Sequence, residues 1–183
     1  MEIYRLVYVS DTYKAIDFDH SETFENKSFE TNGTDLQNLR WVESDSNNPV
    51  SDFPFIMGSI PIISEKTTTV LQSFIDKSDI KLVPITVENE RYYYLHFKKL
   101  LRNILNEKAS KFLKFKNGDI MDIEKYVFKQ IKEDIPPIFK ITELDKCVFV
   151  TGEVAQSITA NNLVGIKLEK CEQKKLGLFD KLF

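Results

Sequence analysis

The sequence predicts an α+β fold with a mixed, mainly antiparallel sheet and two or three helices in a single domain, residues 1–183. Three observations support this prediction. Short runs rich in Val, Ile, Tyr and Phe recur along the chain and are separated by turn residues. Only a few segments show the three- and four-residue apolar spacing of a helix. The length of 183 residues is that of one domain, and we see no internal repeat that divides it.

The N-terminal part combines one strand with a loop-rich section. Residues 2–10 alternate around Arg5 and predict a strand. Residues 11–52 contain an Asn-Gly pair and a polar cluster, so we expect loop with one or two short strands. Inside this section we predict a short helix over residues 34–42, because Thr34 can cap it and Leu or Val recurs at three-residue spacing.

The clearest helix follows an apolar segment. Residues 53–63 are interrupted by proline and glycine, which predicts a buried, extended and turning chain. Ser64 is a suitable N-cap, and Glu65 lies in the first turn, where the helix dipole favours an acid. The apolar face of this helix consists of Thr67, Val70, Leu71, Phe74 and Ile75.

A β-hairpin is predicted next. Residues 80–87 and 91–97 are rich in β-branched and aromatic residues, and three polar residues separate them. Pro84 indicates that the first run is an edge strand or contains a bulge, because proline donates no ladder hydrogen bond.

The middle of the chain leaves two alternatives open. Residues 98–117 alternate lysine with apolar residues and fit either a helical turn or two or a continuation of the preceding strand. Residues 120–132 fit either a strand or a helix. Asn117-Gly118 predicts a turn between them. After Pro136-Pro137, residues 138–141 predict a short strand.

The C-terminal part predicts a strand, a helix and a further strand. Residues 147–150 are a strand-like run that leads into Thr151, a possible helix cap. Asn161-Asn162 ends the helix, because Asn tolerates the left-handed conformation there. Residues 163–171 return as a strand, and residues 174–183 form an amphipathic tail that either docks or frays.

The composition predicts a cytoplasmic protein. Hydrophobic residues make up 42% and charged residues 29%, as in ordinary globular proteins. No apolar run reaches the ~18 residues of a membrane helix, and the first residues do not show the pattern of a signal peptide. Cys147 and Cys171 are too few for the disulfide framework of a secreted domain, and their strand-like surroundings predict buried, reduced cysteines.

The net charge of −3 is unevenly distributed. Residues 17–52 sum to −7, whereas residues 53–183 sum to +4. This acidic segment disfavours nucleic acid as a direct partner of the N-terminal part and allows a basic protein partner. A solvated surface, kept soluble by its charge, explains the same pattern.

The sequence gives no reason to predict an enzyme, a cofactor or a metal site. No phosphate-binding, dinucleotide-binding or metal-ligand spacing occurs. His20 lies between acids and a serine, but a catalytic triad is defined by geometry, so we interpret it as part of a surface loop. We expect His96 to pack at the core edge or across strands. The acidic pairs Glu88/Glu90 and Asp119/Asp122 lie at apparent turns, where a carboxyl rarely has a perturbed pKa.

The run Tyr92-Tyr93-Tyr94 allows three interpretations. Strand alternation places Tyr92 and Tyr94 on one face and Tyr93 on the other, as in a half-buried strand. Tyrosine is also favoured at protein interfaces. Stacking on nucleic-acid bases is the third and weakest interpretation.

Several stretches form a pattern known from one protein family. They are 52–54 (DFP) with 61–66 (PIISEK); 82–84 (LVP) with 92–95 (YYYL); and 138–141 (IFKI) with 148–151 (VFVT) and 163–166 (LVGI). Together they resemble family eleven of the immunity proteins of bacterial polymorphic toxin systems, over roughly residues 50–170. The chain departs from the pattern at Asn106, where the family has Asp, and at Lys140, where it has Arg.

The resemblance implies a protein that binds a cognate toxin and neutralises it by contact, without a cofactor. The acidic segment then becomes a candidate surface for a basic toxin such as a nuclease. The alternative is a small enzyme or nucleic-acid-binding module whose site the sequence does not identify. The candidate interface residues are Asp17, Asp19, Glu22, Glu25, Tyr92 and Tyr94.

Overall fold

A computed structural model of the chain describes residues 1–9, 12–18, 41–44, 47–54, 61–131 and 134–174. These residues form two α-helices and thirteen short strands, most of them paired antiparallel, which confirms the α+β prediction. The strands form a four-stranded sheet, a five-stranded sheet and two strand pairs, where a single mixed sheet was expected. His20, most of the predicted helix 34–42 and the tail beyond residue 174 lie outside the described residues.

The four-stranded sheet is built around the N-terminal strand. In order across the sheet, its strands are β10 (Ile138–Phe139), β11 (Phe149–Thr151), β1 (Ile3–Tyr8) and β12 (Ile166–Lys170). All three pairs are antiparallel, with Ile3 opposite Thr151 and Leu6 opposite Leu168. Each strand was predicted near its position, although β12 begins three residues later than expected.

The five-stranded sheet contains the predicted hairpin. In order across the sheet, its strands are β2 (Ala15–Phe18), β3 (Trp41–Ser44), β5 (Ile80–Val87), β6 (Glu90–Phe97) and β4 (Ile62–Ser64). Glu88 and Asn89 form the two-residue turn, both with positive φ, as a tight hairpin of this hand requires. Because β3 pairs with β5 only at Trp41 and Val87, the outer edge of β5 at Pro84 is open among the described strands.

The predicted helix 34–42 is wrong at its C-terminal end, because Trp41 and Val42 belong to β3. Trp41 lies opposite both Phe18 and Val87 in the sheet. Pairing with two neighbouring strands outweighs the weak helical preference of a short segment. The expectation of one or two short strands in residues 11–52 is confirmed by β2 and β3.

Both helices begin where the sequence predicts. Helix α1 (Glu65–Leu71) continues as a 3₁₀ turn, and the Ser64 Oγ caps it by accepting from the Thr67 backbone N at 3.1 Å. Helix α2 (Gly152–Ala160) follows Thr151, whose side chain makes no capping bond. It ends at Asn161-Asn162, and Asn162 has the left-handed φ of 48°.

Of the two segments that the sequence left open, residues 120–132 form strands over Ile120–Lys125 and Val127–Lys129, whereas residues 98–110 match neither expectation. Residues 98–110 form neither a helix nor a continuation of β6: Leu101 and Leu105 make single bridges to Ile141 and Phe128, and Asn103 has a φ of 59°. The predicted turn at Asn117-Gly118 is confirmed. The remaining strands are β7 (Lys111–Lys114), β8 (Ile120–Lys125), β9 (Val127–Lys129) and β13 (Glu172–Lys174), which pair as β7–β8 and β9–β13.

Candidate functional site

The motif residues meet at Asp52, whose side chain is almost fully buried. Its Oδ2 accepts hydrogen bonds from Lys66 Nζ and from the Val164 backbone N, each at 2.9 Å. Its Oδ1 accepts from Ser64 Oγ at 3.2 Å. Both carboxylate oxygens are therefore occupied by donors of the chain itself.

The backbone of Asp52 joins the same two segments. Its carbonyl accepts from the Ser64 N at 3.0 Å and from Thr67 Oγ1 at 3.1 Å, and its N donates to the Val164 carbonyl at 3.0 Å. These bonds connect the chain before β4 with the start of α1 and with the segment that follows α2. The Asp52 cluster, defined as Asp52, Ser64, Lys66, Thr67 and Val164, therefore stabilises the packing of three parts of the fold.

Gly165 belongs to the same region. A Cβ at this position would lie 1.8 Å from Ser51 Oγ, and its φ of 98° is unfavourable for any other residue. Ser51 Oγ in turn accepts from the Phe53 backbone N at 3.0 Å. The glycine of the family-like 163–166 stretch thus allows close approach to the 52–54 stretch.

Lys140, at a position where the family has Arg, also has an internal role. Its Nζ lies 5.4 Å from the centre of the Phe97 ring, a cation–π contact. Burial lowers the pKa of Lys140 below its ordinary value, against the opposing effect of Asp145. The family-like stretches therefore contribute contacts within the chain at three positions: Asp52, Gly165 and Lys140.

The tyrosine strand presents its rings to two different clusters, which confirms the predicted alternation. Tyr92 is 3% exposed and packs with four aliphatic residues, whereas Tyr93 packs against the cluster that includes α2. The Tyr92 hydroxyl donates to Glu90 Oε2 at 3.0 Å, and burial, with Glu90, raises its pKa. Tyr94 is half-buried at the edge of the Tyr92 cluster, and burial raises its pKa. The packing interpretation is favoured for Tyr92.

The acidic candidates are only partly described. Asp17 lies opposite Val42 in the β2–β3 pair, whereas Asp19, Glu22 and Glu25 fall outside the described residues. Strands β2 and β3 belong to the same sheet as the tyrosine strand, so Asp17 and Tyr92 are on elements of one sheet.

Acidic side chains also gather near the turn of the β5–β6 hairpin. Glu43 accepts a hydrogen bond from Lys14 Nζ at 2.5 Å, and this bond, with further attraction from Glu88 and Glu90, raises the pKa of Lys14. Glu88 and Glu90 are exposed. The negative charge of the N-terminal segment therefore continues onto this hairpin.

His96 is half-buried in β6, as expected for a residue at the core edge. Its ring lies edge-on to Tyr94 with centres 6.1 Å apart. Burial lowers the pKa of His96, and the nearby Lys81, Lys98 and Lys140 lower it further. The histidine is therefore held mainly neutral near neutral pH.

A groove of about 350 Å³ lies beside β5. Its floor is apolar, and its charged side chains are Lys77, Lys81 and Lys98. None of the lining residues in the described ranges is a histidine or a carboxylate. Within the same ranges no three His, Cys, Asp or Glu residues are grouped as metal ligands require.

The two cysteines are partly buried at the edge of the core, where buried cysteines were predicted. Both lie just outside the ends of strands and therefore pack against the edge of the cluster around Phe149. The Sγ of Cys147 is 3.2 Å from the Tyr126 hydroxyl. Burial raises the pKa of Cys171 to about 12. Cys147 lies just before β11 and Cys171 just after β12, and these two strands pair with β1 on opposite sides. The cysteines are therefore about two strand spacings apart, which is too far for a disulfide.

One feature of the surface was not predicted from the sequence. The side chains of Leu113, Phe115 and Met121, on or beside the β7–β8 hairpin, are exposed. The signal that could have indicated them was the alternation of lysine and apolar residues from 111 to 116.

Comparison with known proteins adds one finding. Neither the models of known protein families nor the curated proteins give a match to this chain. In the part of the chain that is described, no helix has the length and apolar character needed to cross a membrane.

Proposed function

We propose that this chain is an immunity protein that binds a cognate bacterial toxin by protein–protein contact and neutralises it. The observation that carries the proposal is the resemblance of its motifs to family eleven of the polymorphic-toxin immunity proteins. Two of those motif stretches, 52–54 and 163–166, are more than a hundred residues apart, yet Asp52 bonds the Val164 N. Buried polar residues that satisfy one another are expected where motifs specify a fold, which supports a shared architecture.

Charge suggests how the toxin is approached. The −7 charge of residues 17–52, together with the exposed Glu88 and Glu90, would attract a basic surface, such as the phosphate-binding face of a nuclease. Complementary charge of this kind raises the association rate more than it raises the final affinity. The toxin would be blocked by occupation of its working surface, a mechanism that requires no chemistry from this chain.

The experiment combines binding with protection. The chain is tagged and used to capture the protein encoded immediately upstream, and both are then expressed together in cells. The proposal expects co-purification of the two proteins and restored growth when the chain is present. Failure of both capture and rescue would refute it.

A charge variant tests the approach separately. Asp17, Asp19, Glu22 and Glu25 are changed together to Asn or Gln. A matched control changes four acids of the basic body: Glu107, Asp134, Glu143 and Asp145. The first variant should slow toxin association by about tenfold or more at low salt and flatten its salt dependence, and the control should change it far less. An association rate unchanged at low salt contradicts the role of the acidic segment.

A further inference from the structure

The β7–β8 hairpin carries an unusual share of the exposed apolar side chains. Among the residues described, six large hydrophobic side chains are exposed, and three of them lie on or beside this hairpin. The exposed fractions are 39% for Leu113, 54% for Phe115 and 38% for Met121. Isolated exposed hydrophobic residues are normal in soluble proteins, but their concentration on one element marks a contact surface.

The hairpin holds these side chains on an ordered support. Phe112 and Ile120 pack inward against the cluster that contains the fully buried Ile123. Leu113 follows Phe112 in β7 and therefore faces the opposite way, and Phe115, the first residue after β7, is exposed as well. The Phe115 backbone N donates to the Asp119 carbonyl at 2.9 Å, which extends the ladder to the tip. A support that is already ordered lowers the entropy cost of binding.

Residues 111–125 carry four lysines and three acids, a net charge of +1. Of the acids, Glu124 and Asp122 pair with Lys111 and Lys146, and Asp119 accepts from Asn117 Nδ2. Lys111 pairs with Glu124 at 2.6 Å, and the Lys114 Nζ lies 5.8 Å from the centre of the Phe112 ring. Neither Lys114 nor Lys116 has a carboxylate partner within the described ranges. The hairpin thus combines apolar side chains with two unpaired cations. Its complement is an apolar cleft bordered by carboxylates.

We propose that the β7–β8 hairpin is the element that docks into the cognate toxin, with Phe115 and Leu113 inserted into an apolar cleft edged by acidic residues. This inference rests on the proposed function and specifies its contact surface. Tyr92, by contrast, is buried and contributes to the support of its sheet. The acidic segment and the basic hairpin would contact oppositely charged parts of the toxin, and this arrangement fixes the orientation of the complex.

The test measures the affinity of the full chain for the protein encoded immediately upstream. The test variant is Leu113→Ala/Phe115→Ala, and the matched control is Val50→Ala/Val164→Ala, which truncates two other exposed apolar side chains. The dissociation constant of the test variant should rise at least ~30-fold, as expected for hot-spot residues, and that of the control should change by less than about threefold. Thermal unfolding checks that each variant is folded.

Lys114→Glu/Lys116→Glu should slow association and weaken its dependence on salt.

The outcomes separate this inference from the function. If the wild type and Leu113→Ala/Phe115→Ala bind equally tightly, the docking role of the hairpin is refuted and the proposed function is not. No binding and no rescue by the wild type would overturn both. Two further arms test other occupants: light scattering for a dimer, and flotation with vesicles of phosphatidylcholine and phosphatidylserine. A dimer or vesicle binding that the test variant abolishes would overturn the toxin as the occupant.

Discussion

Asp52→Ala tests whether the meeting of the family-like motifs stabilises the fold. The substitution leaves the Val164 N–H without its acceptor, which costs about 1–3 kcal/mol. It also removes one of the two acceptors of the Ser64 hydroxyl, at a cost of about 0.5–1.5 kcal/mol, because Thr67 Oγ1 lies at the same 3.2 Å. Loss of the bond to Lys66 adds at most about 1 kcal/mol, because that lysine is 56% exposed. We therefore expect the free energy of unfolding to fall by about 2–4 kcal/mol and the Tm to fall by roughly 5–15 °C.

The assay is urea unfolding followed by circular dichroism, with thermal unfolding as a second measurement. Lys66→Ala is the matched control, because it removes only the exposed partner and should cost no more than about 1 kcal/mol. Asp52→Asn should lie between the two, since its carbonyl oxygen in the Oδ2 position can still accept from Val164 and Lys66, while its amide in the Oδ1 position faces the Ser64 hydroxyl as a second donor. If Asp52→Ala costs no more than Lys66→Ala, the cluster does not hold the three segments together.

Two further predictions concern a glycine and a histidine. Gly165→Ala should lower the free energy of unfolding by about 2–4 kcal/mol, because it combines backbone strain with a clash against Ser51. Gly118→Ala is the control: its φ is similar but the space around it is open, so it should cost only about 1–2 kcal/mol. Equal losses for the two variants in urea unfolding would contradict the clash. Since the pKa of His96 is below its ordinary 6.5 in the folded chain, the unfolded chain binds more protons below about pH 6.5, and stability should fall as pH drops through that value. His96→Gln should reduce this slope between about pH 5 and about pH 7.5, and an unchanged slope would assign the pH dependence to other groups.

The sequence predicts those elements whose cause is local. Ser64 caps α1 through a bond to a residue three positions later, and the β5–β6 hairpin is closed by a two-residue turn. Both features depend on neighbours in the sequence, so spacing and residue type are sufficient to predict them. The α2 helix and its end at Asn161-Asn162 follow the same logic.

The elements that the sequence leaves open depend on distant partners. Leu101 pairs with Ile141, and Trp41 pairs with Val87, more than thirty residues away in each case. The parallel pair of β9 and β13 is similar, and β13 is a polar strand with no apolar pattern to indicate it. Local patterns contain no information on such partners, and short segments adopt the conformation that their neighbours in space impose.

The candidate site shows the same limit for a different reason. The motif residues that allow the resemblance to be noticed are buried and satisfied within the chain, as Asp52 and Gly165 show. Substitutions there are costly to the fold, so such residues carry the identity of the architecture. Substitutions at Phe115 and Leu113 should cost the fold little stability by comparison, because these side chains are exposed. Under the proposed function and the proposed docking of the hairpin together, the buried motif residues define the architecture, and the exposed residues of the β7–β8 hairpin determine which toxin is bound.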